Sequence, residues 1–235
     1  MADLDVDHEH ADVTGGWLRP AVFGAMDGLV SNAALIAGVA GGTRAATDSS
    51  SVVLAGFAGL AAGAFSMAVG EYTSVASQSE AAEFEVAKER REILANPVGE
   101  TAELAAMLTD KGIEPETASE VAEQIHRDID NAVAVHAMEE FGIDPDDLAS
   151  PMVAALSSFA AFAVGAFVPV LPYLLGFGLA PAMVLTLLAL FACGALVTRV
   201  TSRSWWYGGF RQMLLGLAAF VITYAVGLGV GAGLG

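Results

Sequence analysis

Five apolar runs, at residues 17–42, 52–77, 152–175, 179–200 and 210–234, each reach the roughly 20 residues that an α-helix needs to cross a bilayer. Hydrocarbon offers no partner for a free N–H or C=O, so runs of this length fold as helices that satisfy their own backbone. The third and fourth runs meet at the tight segment LGFG and form a hairpin. The expected fold is all-α: a polytopic membrane protein with five transmembrane helices and a three-helix cytoplasmic domain between spans two and three. Residues 1–16 are expected to form a disordered acidic tail, 17–77 the first two spans, 78–150 the inserted domain, and 151–235 the last three spans.

A hydrophobic share of 55% and a mean hydropathy of +0.59 agree with this, whereas a net charge of −17 does not until the charges are located. Five of the 27 acidic residues lie in the first twelve positions, and nineteen lie between Glu80 and Asp147. The chain is therefore oily, with one acidic insert. Such a surface repels nucleic acid and favours cations. Two Lys against eight Arg also fit a GC-rich or salt-adapted source, where acidity needs no ligand behind it. Cys193 is the only cysteine, which excludes an intrachain disulfide. The first sixteen residues are acidic where a signal peptide is basic, so they read as a cytoplasmic tail. His8 and His10 in that tail read as solvated rather than metal-bound.

Basic residues set the orientation. With the N-terminus inside, Arg19, Lys88, Arg90, Arg91, Lys111, Arg127, Arg199, Arg203 and Arg211 are cytoplasmic, and only Arg44 lies outside. The insert is then cytoplasmic, and SRSWWYGG between the last two spans reads as an interfacial aromatic anchor. Gly24 and Gly28, and Gly59 and Gly63, carry the spacing that lets helices approach closely, within one subunit or across a dimer. Five spans make a thin wall for a polar path, which favours a homodimer.

No proline occurs from Val52 to Ala95 and no glycine follows Gly70 in that stretch, so span two continues as one helix into the insert. NPVGE ends it. A second helix follows over 100–111, closed by Gly112. A third opens at Pro115 and runs to about Phe141, ahead of Gly142.

Glu85, Glu89 and Glu92 share one face of the long helix, at i, i+4 and i+7. Glu100 and Glu103 stand one turn apart on the second helix, and His136, Glu139 and Glu140 lie near the end of the third. Carboxylates with an imidazole suit a divalent transition metal. On spacing alone the simpler reading is a solvated face, with Lys88, Arg90 and Arg91 neutralising part of its charge. EVAEQIH contains one Glu-x-x-His, Glu123 with His126, where a di-iron bundle needs two copies and further glutamates. That argues against an oxidase. Inside the membrane, Asp27 interrupts VFGAMDGLVSNAALIAGVAGG, and Met67 and Glu71 lie one turn apart on span two. A carboxylate in a span is costly and marks an ion or proton path. Met67 also suits plain packing.

AVFGAMDGLVSNAALIAGVAGG, SMAVGEYTSVASQSE and GAFVPVLPYLL resemble the first three spans of the vacuolar iron transporter family, which includes nodulin-21-like proteins. The resemblance runs from about Trp17 to the C-terminus. It implies a five-span homodimer that exports Fe²⁺ from the cytosol in exchange for protons. It carries the intramembrane metal and proton roles onto Asp27 and Met67, with Glu71 close by. It carries the cytoplasmic ligands onto Glu89, Glu92, Glu100 and Glu103, with Glu140 the best match in VHAMEEFG. A methionine pair of eukaryotic members is replaced by His136-Ala137, which leaves the metal preference open, with Met138 a candidate substitute.

Three readings follow. The first is a proton-coupled exporter of Fe²⁺ or Mn²⁺ in the plasma membrane, with no permanently bound cofactor and with Zn²⁺ and Co²⁺ as further ligands. The second is a membrane-anchored iron-binding or storage-handling module without transport. The third, the oxidase, already lacks ligands.

Overall fold

A computed structural model describes residues 16–43, 49–199 and 203–234, and every element among them is helical. The predicted tail with His8 and His10, and the external Arg44, lie outside these residues. The helices are α1 (Leu18–Gly42), α2 (Ser49–Ala95), α3 (Pro97–Asp110), α4 (Pro115–Ile125), α5 (Ile129–His136), α6 (Pro151–Phe167), α7 (Leu171–Leu174), α8 (Leu179–Val197) and α9 (Trp205–Leu234). The chain divides into two compact units, Met1–Thr73 with Pro151–Gly235, and Ser74–Ser150.

Among the described residues four helices are long and apolar enough to cross a membrane: Leu18–Gly42, Ser49–Ala95, Leu179–Val197 and Trp205–Gly233. The run at 152–175 differs from expectation. It is a 17-residue helix, α6, followed by a turn and the single turn α7. Pro169 has no N–H to donate, and the chain tightens: Val168 N–H donates to Gly165 O (3.2 Å) and Val170 N–H to Phe167 O (3.1 Å). Asn32 on α1 donates from Nδ2 to Ala166 O (2.6 Å), a carbonyl near this break. Asn32 is 2% exposed, and nothing in the sequence pattern marked it for this task.

The α1 helix packs on α6, α8 and α9. Its contact with α6 is backbone on backbone. A Cβ on Gly24 would lie 2.7 Å from Ser158 O, and one on Gly28 would run into Phe162 O and lie 2.8 Å from Ala166 N. These glycines thus serve packing within one chain. Gly59 faces Asn32 and Leu35, and Gly63 faces the Phe162 ring. The α9 helix starts at Trp205, earlier than the predicted 210, and Phe191 of α8 packs edge-on against Trp205 and Phe210.

In the second unit the end of α2 carries Ile93 and Val86 against Ala132 and Val133 of α5 and Ile125 of α4. As the absence of proline predicts, α2 runs unbroken to Ala95. Asn96 then caps α3, its Oδ1 accepting from Gly99 N–H (3.2 Å), with Pro97 in the first turn. The single third helix expected over 115–141 is two helices. Asp128 explains the break: its Oδ1 accepts from Asp130 N–H (2.9 Å) and Asn131 N–H (3.4 Å), which caps a new helix. A π-helical turn, Ala137–Phe141, ends α5, and Gly142 closes it at φ 67°.

Candidate metal centre

Of the three glutamates on one face of α2, only Glu89 turns inward, at 3% exposure. Lys88 Nζ stands 3.8 Å from both Glu85 and Glu92, so those two form the solvated part of the face. Glu89 instead meets His136, which is fully buried on α5. The His136 Nδ1 lies 3.1 Å from Glu89 Oε1 and 3.0 Å from Glu140 Oε1. Glu140 reaches it because the π-helical turn continues α5 by just the residues needed to bring position i+4 round to the histidine.

Glu100 completes the group. One ligand atom each from Glu89, Glu100 and His136 lies within 4.8 Å of the other two, and no other group of three such ligands forms among the described residues. Glu92 and Glu103 are exposed. Glu139 is taken by Lys111, at the C-cap of α3, in an ion pair. Ala137 is buried and Met138 is 47% exposed, so the imidazole, not a thioether, occupies the inward position.

Burial raises the Glu89 carboxyl to about 7, helped by the Glu140 charge and opposed by His136. Burial also raises Glu100, with the neighbouring Glu103 charge second. Two carboxyls that resist ionisation beside each other are what a divalent cation relieves. The sign for stability follows from linkage. Between the ordinary 4.5 and about 7 the folded protein holds a proton that the unfolded chain has released, so stability falls as pH rises through that window. We expect α5 amides of the metal-free protein to show larger protection factors, each taken against the intrinsic exchange rate at the same pH, at about pH 5.5 than at about pH 8. Glu89→Gln should flatten that difference. A divalent ion should reverse it, because the ion replaces the proton and its affinity rises with pH. Equal protection factors at both pH values in the wild type would remove Glu89 as the coupled group.

The intramembrane candidates are arranged differently. Asp27 is half-buried on α1, and no described residue forms a hydrogen bond or ion pair with its carboxylate. Glu71 pairs with Arg19 at 3.8 Å. Arg19 precedes Asp27 by eight residues, about 12 Å along the helix, so Glu71 is paired near the start of α1 rather than with Asp27. Met67 packs with Leu60, Phe159 and Ala163 against Ala64, Phe162 and Ala166. The described residues therefore gather ligands in the Ser74–Ser150 unit, and Asp27 stands alone.

A model of the VIT family matches residues 18–228. The chain is 37% identical to a "Vacuolar iron transporter" of Acanthamoeba castellanii, over 94% of this chain and 81% of that protein. It is 32% identical to "Vacuolar iron transporter 1" of Arabidopsis thaliana, over 95% and 90%. It is 34% identical to "Vacuolar iron transporter homolog 5" of Oryza sativa, over 95% and 89%.

Proposed function

This chain belongs to the VIT family, and on that premise we propose that it is a proton-coupled exporter of divalent transition metal, with Fe²⁺ the first substrate and Mn²⁺ a second. The observation that carries the metal part is the convergence of buried Glu89 and His136 with half-buried Glu100 from α2, α5 and α3. A buried imidazole beside two carboxyls, one of them half-protonated near neutral pH, takes up a divalent ion and gives up protons in the same step. The unit gathers metal from the cytosol. Asp27 on α1 then carries the ion and the counter-moving proton through the membrane, with Glu71 released from Arg19 as the ion passes. In this reading α6 and α7 together make the remaining span, two copies of the chain form the transporter, and 74–150 is cytoplasmic. The relatives' names place their activity at a vacuole. In a cell without one, the same activity operates at the plasma membrane.

A second reading keeps support from one observation: the ligand group lies in the Ser74–Ser150 unit, and among the described residues none forms around Asp27. That suits a membrane-anchored iron-binding module. Proteoliposomes separate the two. With an imposed pH gradient, an entrapped metal-quenched dye should report Fe²⁺ entry and a pH dye the opposing proton flux. Fe²⁺ binding with no entry under any gradient hands the function to the binding module.

A further inference from the structure

His126, the histidine of the single Glu-x-x-His, stands at the C-cap of α4. The fold gives it a different neighbour. Its ring lies against that of His136 with centroids 5.2 Å apart and planes at 87°. Each imidazole has its Nδ1 engaged. His126 Nδ1–H donates to Ala122 O (2.9 Å), and His136 Nδ1–H donates to Glu140 Oε1 (3.0 Å). With the proton held on Nδ1, each Nε2 keeps its lone pair, and both Nε2 atoms are buried without a hydrogen-bond partner. An orphaned nitrogen in a packed interior is unfavourable, and here there are two on adjacent rings.

Metal-bound histidines have this form: one nitrogen on the ion, the other N–H given to a carboxylate or a backbone carbonyl. The separation fits as well. With metal–nitrogen bonds of about 2.05 Å and a tetrahedral angle, two imidazole centroids stand about 5.2 Å apart. We propose that His126 and His136, through their Nε2 atoms, form a two-nitrogen site for a tetrahedral-tolerant transition metal such as Zn²⁺, Co²⁺ or Fe²⁺. Mn²⁺, Mg²⁺ and Ca²⁺, which prefer oxygen ligands, are disfavoured there. Water fills the remaining positions. Access comes from a groove of about 510 Å³ lined by His126, Glu123, Ser119, Thr101 and Pro97. The site adjoins the Glu89–Glu100 group at His136, whose Nε2 takes the ion here while its Nδ1–H stays on Glu140 beside Glu89, and the inference rests on the metal-handling reading of this unit. It adds selectivity, because a nitrogen pair beside a carboxylate group ranks metals that carboxylates alone would treat alike.

Full-length protein in detergent micelles, titrated with Co²⁺, tests this through visible absorption. A tetrahedral nitrogen site gives intense visible bands, which Zn²⁺ should abolish and equimolar Mn²⁺ should leave. His126→Asn keeps a side-chain N–H for Ala122 O and removes the distal nitrogen. It should lose the bands and weaken Zn²⁺ at least about 10-fold, with Mn²⁺ binding unchanged. His136→Asn should also lose the bands, and it should weaken Mn²⁺ as well because His136 belongs to the Glu89–Glu100 group; α5 hydrogen exchange in both variants guards against misfolding. Bands that survive His126→Asn overturn the site. If Co²⁺ binds without such bands, and Glu89→Gln weakens that binding, the nitrogen site falls while the metal-gathering reading stands. If no metal binding responds to Glu89→Gln, His126→Asn or His136→Asn, both fall.

Discussion

Asp27→Ala should abolish gradient-driven Fe²⁺ flux, a loss of at least about 100-fold or about 2.7 kcal/mol in the barrier. The expectation starts from cost. A carboxylate inside an apolar helix is unfavourable unless something compensates it, and no described residue pairs with this one. It stands on α1, the helix that touches α6, α8 and α9, with Gly24 and Gly28 on either side holding the backbone tight against α6. Nothing in that packing needs a charge. Ala at this position removes the unfavourable group, so assembly should be unharmed or slightly improved. Asp27→Asn, which keeps the shape, should fail in the same way as Ala. Metal binding in the Ser74–Ser150 unit should be untouched in both variants. That combination, binding kept and flux lost, is what distinguishes a path residue from a structural one. Flux in Asp27→Ala at the wild-type rate would return the membrane helices to the role of an anchor.

The sequence made the helices legible wherever a local rule decides the outcome. The absence of proline through α2 and Gly142 after Phe141 each act within a few residues, and each element ends where they say, whereas α3 starts at Pro97, three residues before the expected 100, because Asn96 caps it. The break after α6 was not legible. A proline in an apolar run can kink a helix or end it, and here a carbonyl beside the break accepts from Asn32, 134 positions earlier in the chain. The candidate centre shows the same division. That Glu85, Glu89 and Glu92 share a face is a matter of period, but that Glu89 alone is buried depends on where α5 lies. His126 and His136 look like residues of one helix in the sequence. Only the cap at Asp128 starts a second helix between them, and their rings then meet.

Gly28→Val should abolish most of the monodisperse protein, the largest folding defect expected from one small substitution here. A Cβ at Gly28 meets the backbone of Phe162 and Ala166 rather than the end of a flexible side chain, so α1 and α6 must separate. Overfilling a packed contact typically costs about 1–3 kcal/mol, and more when no side chain is free to yield. In a bilayer the loss bites harder, because close packing replaces the hydrophobic effect as the force between helices. Gly165 repeats the geometry from the α6 side, where a Cβ would run into Ala25 O. Gly165→Val should therefore behave alike, and the double variant should be little worse than either, since both open one contact. Gly70 supplies the contrast. It lies in α2, and beyond its own helical turn no described residue comes within 4 Å of an added Cβ. Gly70→Ala should be neutral, or stabilise by up to about 1 kcal/mol through helix propensity. Size-exclusion profiles and thermal unfolding of the detergent-solubilised variants check all three. A normal Gly28→Val profile would mean that the helices are not in backbone contact. A damaged Gly70→Ala, with no described residue to collide with, would locate the surface against which a second copy packs.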